Sequence, residues 1–119
     1  MRILGFSKKW AKLKNDTFTT FRYRRKDAEM GRDLHNGEIL KIVYHPRHEH
    51  EILGIAQVIK KETKQCQMIT EDEAQADGFE DISEMMDFLN PKHSFDLINK
   101  LTLKWIERYQ QSVEYQGRM

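Results

Sequence analysis

Two adjacent threonines, a run of arginines and a distant aspartate are the residues of this sequence best suited to chemistry. Thr19 and Thr20 are followed closely by Arg22, Arg24 and Arg25. In an extended segment Thr20, Arg22 and Arg24 share one face, while Thr19, Phe21, Tyr23 and Arg25 share the other. One face then carries a hydroxyl and two guanidinium forks, which suit bidentate phosphate contacts and stacking on bases. Asp77, followed by Gly78 and Phe79, is placed to project a carboxylate from a helix end towards Thr20 and Arg22. Its local role, shaping the turn before a glycine cap, is the competing reading.

Lys8, Lys9, Lys12 and Lys14 surround Trp10 near the start of the chain. Lysines attract phosphate without sequence preference, and an indole offers a stacking face for an unpaired base. Alternatively, Trp10 and Leu13, three apart, pin a short helix onto a core and leave the lysines facing phosphate. His45, His48 and His50 fall in one loop, but their spacing matches no closed metal-site pattern, so no metal and no cofactor is expected. Cys66 is the single cysteine, which excludes a disulfide framework and a cysteine-only zinc site. It has no activating neighbour beyond Lys64 and reads as inert, while the six methionines read as core filling.

Charge is unevenly distributed along the 119 residues, although the net charge is only +1. Positions 1–26 carry nine Lys or Arg against the single acid Asp16; positions 71–87 carry eight acids and no Lys or Arg. A basic face of this kind attracts phosphate backbones, whereas an acidic helix face suits a basic protein partner or simply solvent. Hydrophobic residues make up 39% and charged residues 33%, polar for a globular chain but too rich in regularly placed Ile, Leu and Val for disorder. No apolar run approaches the ~20 residues of a membrane span, and the first residues are too briefly apolar for a signal peptide. A cytoplasmic protein without a membrane partner is the expectation.

These groups need elements to hold them. Segment 3–6 is apolar and short enough to open a sheet, and 17–25 is rich in β-branched and aromatic residues. Asn36-Gly37 signals a turn before an apolar strand at 38–44, and 52–61 returns antiparallel to it across a polar loop. Gly54 and Ala56 lie where close approach or curvature needs small residues. Thr70 to Glu73 fits a capping box, Gly78 a helix stop, and Asp81 or Ser83 a second cap for a helix ending before Asn90-Pro91. The stretch 101–109 reads as a closing strand with Trp105 in the core beside Leu101 and Leu103, and 111–119 as a frayed tail. Strands first, short helices inserted and a last strand give an α+β fold, a small mixed barrel or curled sheet in one domain over 1–110.

Taken in order, these segments resemble the ASCH domain family, a branch of the PUA-like superfamily. The residues that carry the likeness are Phe18-Thr19-Thr20-Phe21-Arg22, Gly37-Glu38-Ile39-Leu40 and Leu53-Gly54-Ile55-Ala56-Gln57-Val58. Ile69-Thr70-Glu71-Asp72-Glu73-Ala74, Asp77-Gly78-Phe79, positions 84–89 and the closing strand at 101–108 follow. The resemblance spans about residues 3 to 108 and implies a PUA-like, curled, mostly antiparallel β-barrel with short flanking helices. It also implies a cleft that binds RNA or a modified nucleoside.

Some relatives are small amidohydrolases of acylated cytidine, attributed to a Lys, a Thr and an acid; ribonuclease activity has also been proposed in the wider family. Aligned on Arg22, the Thr falls on Thr20 and the acid on Asp77, where those relatives have Glu, but the Lys position is Thr17. Without an amine, Thr20 lacks a base to take its proton. Lys14 is the nearby candidate to replace it. Three functions therefore follow: RNA or nucleoside binding through a basic cleft beside 19–25, hydrolysis by Thr20 and Asp77, or protein docking through acidic helices over 70–89.

Overall fold

The computed structural model describes residues 1–23, 33–44 and 50–109. Arg24, Arg25, His45, His48 and the tail at 111–119 lie outside these residues. Five strands form one sheet: β1 (Arg2–Phe6), β2 (Thr17–Tyr23), β3 (Ile39–Tyr44), β4 (Glu51–Gln65) and β5 (Leu97–Arg108). Their spatial order is β1-β3-β4-β5-β2. All pairs are antiparallel except β1 with β3, which run parallel with Arg2 opposite Leu40 and Phe6 opposite Tyr44. The expected 38–44/52–61 hairpin is present as β3 and β4. Both β4 and β5 extend further than their sequence segments, because their mutual pairing continues to Gln65 and Leu97.

Curling of this sheet into a half-barrel has local causes. Register shifts between Ile42 and Val43, Ile55 and Ala56, and Val58 and Lys60 mark bulges that increase twist. Gly54 sits among them with φ +153°, and a Cβ there would lie 2.2 Å from the Glu107 carbonyl oxygen. The curl leaves β1 and β2 as the two unpaired edges. A hydrogen bond from Arg22 Nη2 to the Gly5 carbonyl, 2.8 Å, joins these edges.

Two apolar clusters flank β2. Leu4, Phe6, Leu13, Phe18, Leu40, Ile42, Val58, Leu101 and Leu103 form the first. Phe21, Cys66, Ile69, Ala74, Phe79, Met85 and Ile98 form the second, beneath the helices. Each fully buried Leu, Ile or Met stabilises the fold by about 1.5–3 kcal/mol. Trp105 is partly buried, tilted on Phe18 at 5.2 Å, and its indole donates to the Leu13 carbonyl. Cys66 is buried in the second cluster, and burial pushes its thiol above the ordinary range. The methionines divide: Met85 is fully buried, whereas Met1 and Met68 are exposed.

The helices begin and end where capping chemistry places them. Helix α1 (Glu71–Asp77) has the Thr70/Glu73 capping box, and its C-cap Gly78 is left-handed at φ 113°. Helix α2 (Ile82–Leu89) starts at Asp81, whose side chain accepts from the Glu84 amide, and ends at left-handed Asn90. Glu73 also fastens α1 to the sheet, accepting from Lys64 on β4 at 2.7 Å and Lys100 on β5 at 2.8 Å. Burial pushes its carboxyl up, but the bonds from Lys100, Lys64 and the Thr70 amide outweigh this and hold it at about 2.

Being depressed in the folded state, Glu73 stabilises the protein above the ordinary carboxylate range, and the contribution fades as pH falls from about 4.5 towards 2. Glu73→Gln keeps a capping-box acceptor and removes the charge. It should cost about 1–2 kcal/mol in urea denaturation at pH 7, allowing for solvent screening, and almost nothing near pH 2. A constant difference across that range would show that the ionic clamp does not hold α1.

Candidate functional site

β2 has two faces with different duties. Phe18 packs in the first cluster and Phe21 in the second, so Thr20 and Arg22 turn with Phe18 while Thr19 and Tyr23 turn with Phe21 towards the helices. The free edge of β2, the facing end of β1 and the end of α1 enclose a cleft of about 370 Å³. Lys12, Thr20, Arg22 and Asp77 line it, together with Phe6, Trp10, Tyr23, Phe79 and Phe88. These come from segments far apart in sequence, so the fold itself assembles the site.

The polar groups form a short chain. Lys12 Nζ lies 2.9 Å from Asp77 Oδ1, with both side chains almost entirely buried. The same oxygen accepts from Thr19 Oγ1 at 3.1 Å. Thr20 is buried, and its Oγ1 accepts from Arg22 Nε at 3.1 Å. Burial pushes the Lys12 ammonium below its ordinary range; the Asp77 charge and hydrogen bond oppose this, and Arg22 adds to it. Burial likewise lowers Arg22, again opposed by Asp77. Asp77 is thus ion-paired with Lys12 and acts on Arg22 through its charge at a distance.

Aromatic rings make the other wall. Trp10 meets Phe79 edge-on at 5.1 Å and Phe88 at 6.3 Å, and Phe88 remains exposed at the rim. Gly78 allows this packing: besides its positive φ, an added Cβ would lie 2.6 Å from Trp10 Cε3. Tyr23 donates its phenol to the Leu89 carbonyl at 2.9 Å. Its hydroxyl is pushed up to about 12, chiefly by burial and then by Cys66 and Asp96, so it stays protonated as a donor.

The basic strip near the start of the chain is divided by the fold. Lys8 is exposed with its amine 3.9 Å over the Trp10 ring, and Lys14 is exposed on the 3-10 turn Ala11–Lys14. Lys9 is buried against Glu51 at 2.9 Å, and Lys12 is buried in the cleft. Leu13 anchors the turn as expected, with Trp10 wedged between the two clusters. Asp77 does reach the cleft of Thr20 and Arg22, but its bonds go to Lys12 and Thr19. Lys14, considered from sequence as the substitute amine, does not line the cleft; Lys12 does.

Sequence reasoning treated Lys12 as one more surface lysine and passed over Phe88. One signal was available: Ala74 and Asp77, three apart, share a helix face on which Ala74 is the apolar residue. An aspartate on that face needs a buried cation. The acidic stretch is similarly divided. Glu73 and Asp77 turn inward, Glu71 accepts from the Ile82 amide, Asp81 caps α2, and Glu84 accepts from the Glu80 amide. Among the described residues, no group of three or more His, Cys, Asp or Glu is placed to hold a metal ion, and no helix is long and apolar enough to cross a membrane. Comparison with protein families, curated proteins and solved structures finds no match to this chain.

Proposed function

We propose that the protein binds a single nucleoside unit, free or at an unpaired position of RNA, in the cleft beside β2, as a member of the PUA-like ASCH group. The observation that carries the reading is convergence: Lys12, Thr20, Arg22 and Asp77 meet on one cleft walled by Trp10, Phe79 and Phe88. A volume of about 370 Å³ falls in the range of small-ligand sites, too small for a helix and adequate for one base and sugar. Aromatic walls favour a planar ring, each stacking contact contributing about 1–3 kcal/mol. Lys12 uses one of its three donors on Asp77, so it has N–H groups to offer a ligand carbonyl. Asp77 Oδ2 can accept from an exocyclic amine. Together they suit the hydrogen-bonding edge of a base. Calorimetric titration with the common nucleosides and N4-acetylcytidine should reveal micromolar to millimolar binding, and Trp10→Ala should weaken it about tenfold or more. Absence of binding by all of them at millimolar concentration would remove the proposal.

A second reading, amidohydrolysis, is favoured by Lys12. It brings to the cleft the amine that Thr17 cannot supply. Proton transfer from Thr20 or from water would need Lys12 in its neutral form; burial acts in that direction and the charge of Asp77 against it. Hydrolysis of N4-acetylcytidine would consume one water and yield acetate and cytidine. Thr20→Val should abolish that release while the protein stays folded; no release by the unaltered protein would dismiss catalysis and leave binding intact. The acidic helices as a protein-docking face have no comparable support, because five of their eight acids already serve the fold or the cleft.

A further inference from the structure

The guanidinium of Arg22 lies in the wall of the cleft, yet no carboxylate among the described residues is within ion-pair distance of it. Its Nε and Nη2 donate to two neutral oxygens, Thr20 Oγ1 at 3.1 Å and the Gly5 carbonyl at 2.8 Å. Nη1 has no partner among the described residues. Asp77 cannot serve as its counter-ion alone, being bonded to Lys12 at 2.9 Å and to Thr19 at 3.1 Å. Among the described residues the cleft therefore holds two cations and one anion. A guanidinium partly withdrawn from water in this way favours a balancing charge.

We infer that an anionic group of the ligand completes the site at Arg22, so that the cleft takes a phosphate-bearing nucleotide in preference to a neutral nucleoside. This rests on the nucleoside reading and specifies its substrate class. A phosphate oxygen accepts from Nη1, while the guanidinium stays fixed by its bonds to β1 and β2 and by its position 4.8 Å from the Phe6 ring centroid. The fork is preorganised, so little side-chain entropy is lost on binding.

Space beyond Arg22 bears on the form of that phosphate. A second hollow of about 210 Å³ shares Gly5, Arg22 and Tyr23 with the cleft, and Arg2, Asp33 and Asn99 also line it. A substituent leaving the phosphate can enter it. Asn99 is held in place there, its Oδ1 accepting from Thr63 Oγ1 at 2.8 Å and its Nδ2 donating to Asp33 Oδ2 at 3.1 Å. A phosphodiester is therefore accommodated as well as a monoester.

The test is calorimetric titration at constant ionic strength with a nucleoside, its 3′- and 5′-monophosphates, a dinucleoside monophosphate and inorganic phosphate. The unaltered protein, Arg22→Gln and Arg22→Lys are compared after each is shown to melt cooperatively. A charge-assisted bond makes the better monophosphate bind about 10- to 100-fold more tightly than the nucleoside. That ratio falls to about twofold in Arg22→Gln, and Arg22→Lys keeps part of it. The dinucleotide binds within about threefold of the monophosphate if the second hollow accepts a diester; much weaker binding restricts the site to monoesters and still supports the anion site. Equal binding of nucleoside and nucleotide, or a preference that survives in Arg22→Gln, overturns the inference and leaves the nucleoside reading standing. If Arg22→Gln does not fold, a preference undiminished in Arg22→Lys and insensitive to salt overturns it. Arg22-dependent binding of inorganic phosphate alone keeps the anion site and removes the nucleoside reading. No binding of any probe removes both.

Discussion

Lys12→Met should lower the stability of the protein by about 3–5 kcal/mol, a large part of the ~5–15 kcal/mol that holds a domain of this size together. The substitution keeps the apolar stem and removes only the ammonium. Asp77 would then be left almost wholly buried, with the Thr19 hydroxyl as its remaining bonded partner. An uncompensated carboxylate in that position costs far more than the ion pair contributes, because both charges were desolvated to make the pair. Adding Asp77→Leu to Lys12→Met should therefore recover most of the loss. Urea denaturation of the two single variants and the double variant measures this directly. A loss below about 1 kcal/mol in Lys12→Met would show that Asp77 finds water or another cation, and that the pair is not a fixed feature of the cleft.

Gly54→Ala should cost about 3 kcal/mol or more for a different reason. The backbone at Gly54 has φ +153°, a region that side-chain-bearing residues rarely occupy. A Cβ there would also stand 2.2 Å from the Glu107 carbonyl oxygen and 3.0 Å from the Arg108 Cα. Both neighbours are backbone of β5, so relief requires β4 and β5 to separate at the place where the sheet bends. The same movement would change how closely the edges of β1 and β2 approach, and the Arg22–Gly5 bond with it. Thermal denaturation should show a melting temperature lower by many degrees; a loss of one or two degrees would mean that the bend does not depend on this glycine.

Local chemistry made much of this fold legible. The Thr70/Glu73 box, Gly78, Asp81 and Asn90 mark helix ends through bonds within a few residues of themselves, so no tertiary information is needed to see them. The alternation of Phe18, Thr20 and Arg22 against Thr19, Phe21 and Tyr23 likewise follows from strand geometry alone. Gly54 and Ala56 announced a close approach because an isolated glycine in a strand has few other uses.

What could not be read depends on distance in sequence. The parallel partnership of β1 with β3 joins Arg2 to Leu40, and nothing in either segment distinguishes a parallel from an antiparallel neighbour. Lys12 meets Asp77 across 65 residues. In its own surroundings it resembles Lys8 and Lys14, and only the 3-10 turn, with Leu13 buried beside it, directs it inward. For the same reason sequence alone points to Lys14 as the amine, two residues beyond the lysine that the fold turns into the cleft.

The central claim is that Lys12, Thr20, Arg22 and Asp77 form one ligand-binding cleft with Trp10. Amide and indole resonances followed by NMR during titration with nucleosides and their monophosphates test it most directly. The shifts should concentrate in Thr20 to Tyr23, Asp77 to Phe79 and the Trp10 indole. The Trp105 indole, committed to the Leu13 carbonyl at 3.1 Å, should stay in place. Shifts confined to the outer surface of α1 and α2, or none at saturating ligand, would contradict the claim.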